Sequence, residues 1–167
     1  QEVFLFSDTI ENNIAFGYKN NLPDHSIIKE AAKNAAIYDN ILEFKDGFKT
    51  KVGERGITLS GGQKQRISIA RAIIKAPKIL IFDDCLSAID TETEDTILNN
   101  LKTVMKNKTS IIVSHRVSSV KNADTILVLE KGEIIERGTH QSLMDSKGSY
   151  YETYQKQLLA EEIENIE

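Results

Sequence analysis

Apolar positions along this chain change rhythm, from helical spacing in the first half to short unbroken runs in the second. Ile27, Ile28, Ala31, Ala32 and Ala35 recur at three- and four-residue intervals, leaving Lys29, Glu30, Lys33 and Asn34 for solvent. Asp24 or Ser26 can cap that helix. A shorter apolar segment follows at Ile41, Leu42 and Phe44, before glycine punctuation at Gly47 and from Gly53 to Gly56. The next helix is expected from about Gly62 to Ile74 and must end before Pro77, which has no backbone N–H to donate.

From there strand and helix alternate. Lys78 to Phe82 is apolar without alternation, the pattern of a strand buried on both faces. Thr91-Glu92-Thr93-Glu94 has capping-box spacing and opens a helix to Met105 that turns Ile97, Leu98, Leu101, Val104 and Met105 inward. Ser110 to Val113 is the next strand. Thr125 to Leu129, Lys131-Gly132 and Glu133 to Glu136 read as a hairpin at the sheet edge. Tyr150, Tyr151, Tyr154, Leu158 and Ile163 mark a last amphipathic helix that fades into an acidic tail. This alternation predicts an α/β fold with parallel strands and helices packed on the sheet.

Two segments carry chemistry. Leu59-Ser60-Gly61-Gly62-Gln63 stands at the mouth of the helix, where unpaired N–H groups and the positive end of the helix dipole favour a phosphate. Ile79-Leu80-Ile81-Phe82 ends in Asp83 and Asp84, and a carboxylate at a strand end suits Mg²⁺. Each has a plainer reading: a glycine turn before a helix, and an aspartate that caps a turn. His115, behind Ser114, would by itself be an ordinary loop histidine. The phosphate loop G-x-x-x-x-G-K-[ST] is missing, since the chain holds no Gly-Lys dipeptide.

Composition narrows the class. At 167 residues the chain is one domain's worth, and 21 Lys and Arg against 25 Asp and Glu give a net charge of −4, without the basic surplus expected of a nucleic-acid partner. One cysteine, Cys85, rules out an intrachain disulfide and fits a reducing compartment. No run approaches 18 apolar residues, and Gln1 to Phe4 lacks the marks of a signal peptide.

From Gln1 to about residue 155 the chain resembles the distal two thirds of the ATP-binding domain of an ABC transporter of the exporter type. The blocks that carry the resemblance run in family order: Gln1 as the start of a Q-loop, Thr50 to Gly56, the signature at 59–63, the Walker B strand at 79–83, Ser87-Ala88-Ile89-Asp90 as a D-loop, and Ser114-His115-Arg116 as a switch loop. The resemblance implies an incomplete parallel-sheet P-loop NTPase core with an inserted helical signature subdomain. That subdomain spans about 18–76, the Walker B to switch-histidine core about 77–148, and the C-terminal helix and acidic tail 149–167. The missing part of the family domain is expected at the N-terminus.

The resemblance also assigns roles. ATP and Mg²⁺ are the implied cofactors. Asp83 and Gln1 would attend the metal; Ser60, Gly61, Gly62, Gln63 and Asp90 would attend nucleotide at a head-to-tail interface with a second ATP-binding domain. Gln1, Asp84 and His115 take the catalytic places, with His115 sensing the γ-phosphate. The Gln1 loop, Glu54 and Arg55 would meet coupling helices of a transmembrane domain, which places the chain at the cytoplasmic face of a membrane.

One position departs from the family pattern. Active members usually place Glu after the Walker B Asp, and here it is Asp84. The shorter side chain withdraws the carboxylate, and misplacement by about 1 Å can cost on the order of a hundredfold in rate. An intact signature beside an altered acid implies a heterodimer in which this subunit's own site is weak, with a homodimer as the alternative. The fragment alone is expected not to hydrolyse ATP. Two other classes fit parts of the pattern: the C-terminal lobe of a DNA-maintenance ATPase of the structural-maintenance-of-chromosomes kind, and a non-catalytic module supplying a signature in trans.

Overall fold

The computed structural model describes residues 3–16, 18, 23–53 and 59–164. Gln1, Glu54 and Arg55 lie outside them. Two compact units emerge, Gln1–Ile112 and Val113–Glu167.

The first unit packs helices around a small parallel sheet. Its elements are α1 (Ile10–Ala15), α2 (His25–Asn34), α3 (Tyr38–Glu43), a 3-10 turn at Gly47–Lys49, α4 (Gly61–Ile73), β1 (Ile79–Asp83), α5 (Thr91–Met105) and β2 (Thr109–Val113), which pairs with β1 and ends at the unit boundary. Leu5, Ile10, Ile14, Ile28, Ile37, Ile41, Ile67, Ile97 and Leu101 form its fully buried centre. In α2 the expected stripe is inside, except that Ile27 stays exposed, and Asp24 is the cap, accepting from the Ser26 N–H.

Beyond Ile27, β1 and the α5 cap of this unit also differ from expectation. β1 is not covered on both faces: Leu80 and Phe82 point into the core while Ile79 and Ile81 are 62% and 64% exposed. An unbroken apolar run marks a strand built for two covered faces, and only one cover is present among the described residues. α5 spans the expected residues, but its cap is Asp90, one position before Thr91. The Asp90 carboxylate accepts from the Thr93 N–H at 2.9 Å, a stronger acceptor for that donor than a Thr91 hydroxyl.

The second unit contains α6 (Val117–Val120), β3 (Ile126–Glu130), β4 (Glu133–Gly138), α7 (His140–Ser146) and α8 (Ser149–Glu164). β3 and β4 form the expected antiparallel hairpin, turning on Lys131 and Gly132, both at positive φ as a two-residue type I′ turn requires. The hairpin is a sheet of its own rather than the edge of the β1–β2 sheet. Val117, Ile126, Leu143 and Tyr150 make a small core. α8 begins where the Glu136 carboxylate accepts from the N–H groups of Ser149 and Tyr150, at 2.8 and 2.9 Å. Only its first turns are packed; Ile163, expected inside, is 63% exposed.

Candidate functional site

The signature stands where the sequence puts it, at the start of α4, and its serine and glutamine close a capping box. Ser60 Oγ accepts from the Gln63 N–H at 3.2 Å, and Gln63 Oε1 accepts from the Ser60 N–H at 3.0 Å. The Ser60 hydroxyl keeps its own proton to donate. The Gly61 and Gly62 N–H groups are the first-turn donors left over, with no acceptor inside the helix. Gly61 is exposed and Gly62 half-buried. The geometry is that of an anion-reading helix start.

This end of α4 is fitted closely to the turn after β1. A Cβ on Gly62 would stand 2.9 Å from the Ala88 carbonyl oxygen, while one on Gly61 would meet only the Ala88 methyl at 3.6 Å. Gly62 therefore has a packing reason to be glycine, whatever binds there. Gln65, buried one turn into the helix, ties the two segments together. Its Oε1 accepts from the Ala88 N–H at 3.0 Å and its Nε2 donates to Ser87 Oγ at 3.3 Å, and that hydroxyl in turn donates to the Asp84 carbonyl at 3.0 Å. Signature, D-loop and acidic strand end are thus joined within one unit.

Asp83 is exposed at the end of β1 and Asp84 follows it half-buried. Asp84 sits at φ 46°, in the left-handed region. Aspartate tolerates that backbone better than most residues, because its short side chain bonds locally, so the shorter acid and the turn agree. No set of three His, Cys, Asp or Glu side chains among the described residues could cage a metal. A lone strand-end carboxylate fits Mg²⁺ brought in with a nucleotide, since that ion keeps water and phosphate ligands and needs only one or two carboxylates. Burial, with help from Asp84 and Asp83, pushes the Cys85 thiol up to about 11. Asp90 is spent on its cap, and the Thr93 N–H holds its carboxyl below the ordinary range.

Two arginines that the sequence reading passed over brace the signature helix. Arg71 Nε and Nη2 donate to the Asn13 carbonyl and Oδ1, both at 2.8 Å, and Nη1 donates to the Phe4 carbonyl at 3.0 Å. The guanidinium lies over the rings of Phe6 and Phe16, 5.6 and 5.7 Å from their centres. Asn13 is fully buried and completes the clasp through the Phe6 N–H and carbonyl. Arg66 reaches the Ala36 carbonyl at 2.6 Å and Asn40 Oδ1 at 2.8 Å. Burial draws both guanidinium pKa values down, and both stay charged. None of these partners is within a local window, so spacing alone could not announce them.

His115 belongs to the second unit. Its side chain is exposed, and its loop is held by Ser114 Oγ, which accepts from the Arg116 N–H at 3.0 Å.

Comparison with known proteins decides the family. The family model described as "ABC transporter" matches residues 1–87. The chain belongs to the ABC transporter family. Over 159 residues, 94% of the chain, it is 54% identical to "Uncharacterized ABC transporter ATP-binding protein YknU" of Bacillus subtilis, covering 26% of that protein. It is 49% identical over 157 residues to the "ATP-dependent lipid A-core flippase" of Idiomarina loihiensis, covering 94% of the chain and 27% of the flippase. Among solved structures, a bacterial Atm1-family ABC exporter with ATP bound superposes with a TM-score of 0.88 at 44% identity, covering 95% of this chain and 28% of that one. The chain spans about a quarter of the length of these relatives. Its match to the exporter structure agrees with the resemblance to an exporter-type ATP-binding domain read from the motif order. No helix among the described residues is long and apolar enough to cross a membrane.

Proposed function

We propose that the protein carrying this ABC transporter segment hydrolyses ATP to drive export across a membrane, and that this subunit contributes a good signature and a weak catalytic site of its own. The observation that carries the reading is the junction of α4 with the turn after β1: an open glycine helix start fixed by Gln65 beside a left-handed Asp84. In this reading Ser60, Gly61 and Gly62 hold the γ-phosphate of ATP bound by a partner domain in a head-to-tail dimer. Asp83 holds Mg²⁺, which when bound offsets phosphate charge. Asp84 orients the attacking water, and His115 contacts the γ-phosphate.

The partner is a second, non-identical ATP-binding domain, and transmembrane coupling helices meet the Gln1 loop, Glu54 and Arg55 at the cytoplasmic face. The DNA-maintenance alternative loses ground, because the relatives named above are transporters. The trans-acting module survives in a limited form, as the behaviour of the isolated fragment.

Two measurements test this. Calorimetric titration of the 167-residue chain with Mg-ATP should show no binding, for want of a phosphate loop; tight binding would mean that another segment cradles the phosphates. In the intact transporter, Asp84→Glu should raise ATP turnover by about tenfold or more by restoring reach toward the water. Unchanged or lower turnover would sink the weak-site proposal.

A further inference from the structure

One side chain far along the sequence holds the histidine loop, and the chemistry above does not use it. Gln157 lies on α8, about two helical turns beyond Tyr150. Its Oε1 accepts from the Val117 N–H at 2.8 Å, and its Nε2 donates to the His115 carbonyl at 2.7 Å. Both ends of one planar amide are thus committed to the backbone on either side of Arg116. Only a neutral amide offers a donor and an acceptor in a single rigid fork. A leucine of similar size would leave a backbone N–H and a carbonyl without these partners.

The platform that carries Gln157 is itself fixed. Glu136 caps α8 at its first residues, His140 Nδ1 and the Tyr150 hydroxyl lie 2.8 Å apart in a hydrogen bond, and the His140 ring packs edge-on against Tyr150 and Tyr154. Beyond Gln157 the helix projects exposed Leu159 and Ile163, so its docked half ends near the amide.

We propose that Gln157 is a positioning residue that sets the His115 loop for contact with the γ-phosphate. The inference rests on the reading of His115 as that contact. It makes the C-terminal helix part of the apparatus that distinguishes ATP from ADP, acting through backbone atoms and without touching nucleotide.

The test uses the intact transporter carrying Gln157→Leu, His115→Ala, or both. ATP and ADP affinities at this subunit are measured by competition against a photoaffinity ATP analogue crosslinked to it. Gln157→Leu should lose about tenfold of the preference for ATP, the scale of one phosphate hydrogen bond, with ADP affinity unchanged. A merely structural role would weaken both nucleotides together. The double variant should be no worse than His115→Ala; losses that multiply overturn the proposal. Amide exchange at Val117 should quicken in Gln157→Leu, and unchanged exchange also overturns it. If His115→Ala keeps the full ATP preference, the phosphate reading of His115 falls, and Val117 exchange still reports the Gln157 link separately.

Discussion

The signature junction and the outer face of the β1–β2 sheet meet at the end of β1, yet they end in opposite states. At the junction polar groups find partners within the chain: Gln65 serves Ala88 and Ser87, Ser60 and Gln63 serve each other, and Gly62 leaves no room for a methyl. On the sheet, Ile79, Ile81 and Ile111 are 48% to 64% exposed. Exposed aliphatic residues on adjacent strands are surface that a soluble domain ordinarily covers. The side chains of the junction are paired within the chain, while among the described residues the sheet is covered on one face.

The sharpest way to break that comparison is to truncate both faces of one strand. Phe82→Ala, on the covered face at 5% exposure, should cost about 3–5 kcal/mol in urea unfolding. Ile81→Ala, one residue away, should stay within about 0.5 kcal/mol. Equal costs at the two positions would mean that the outer face is covered in solution.

Arg71→Leu comes next. It strips three charge-assisted hydrogen bonds from the clasp, two of them to the buried Asn13, so about 2–3 kcal/mol of stability should go. If the loss is no larger than for an exposed lysine, the clasp adds nothing to α4 beyond its apolar packing.

The two signature glycines make a finer contrast. Gly62→Ala should cost about 1–3 kcal/mol, because the Ala88 carbonyl must move to admit the methyl. Gly61→Ala meets only ordinary contact and gains helix propensity, so it should be neutral or mildly stabilising. Should both be neutral, the close fit of α4 to the turn is looser than 2.9 Å implies.

These contrasts also show what the sequence could and could not announce. The fold class, the α5 boundaries from Thr91 to Met105 and the Lys131-Gly132 turn were legible, because periodicity, caps and left-handed turn residues are local signals. The run Ile79 to Phe82 announced a buried strand but not which face this chain covers, since apolarity records what a surface needs and not what supplies it. The candidate acids and signature were visible as motifs. Their supports were not: Gln65 bonds across 22 and 23 positions, Gln157 across 40 and 42, and Arg71 across 58 and 67. No pattern of neighbours marks a side chain whose partner is that distant.

Asp90 gives the smallest expected effect and the cleanest sign. The Thr93 N–H stabilises its ionised form, so the folded-state pKa lies below the unfolded one. A depressed carboxyl contributes stability that is present above its unfolded value of about 3.9 and is lost as pH falls through the lower folded value. Asp90→Asn keeps a capping oxygen for Thr93 but removes the titration, and should cost a few tenths of a kcal/mol at pH 6. As pH falls below the folded pKa, the gap between wild type and Asp90→Asn in urea midpoint should close. A gap independent of pH would place the charge of Asp90 outside the cap and free it for the interface role that the D-loop resemblance assigns.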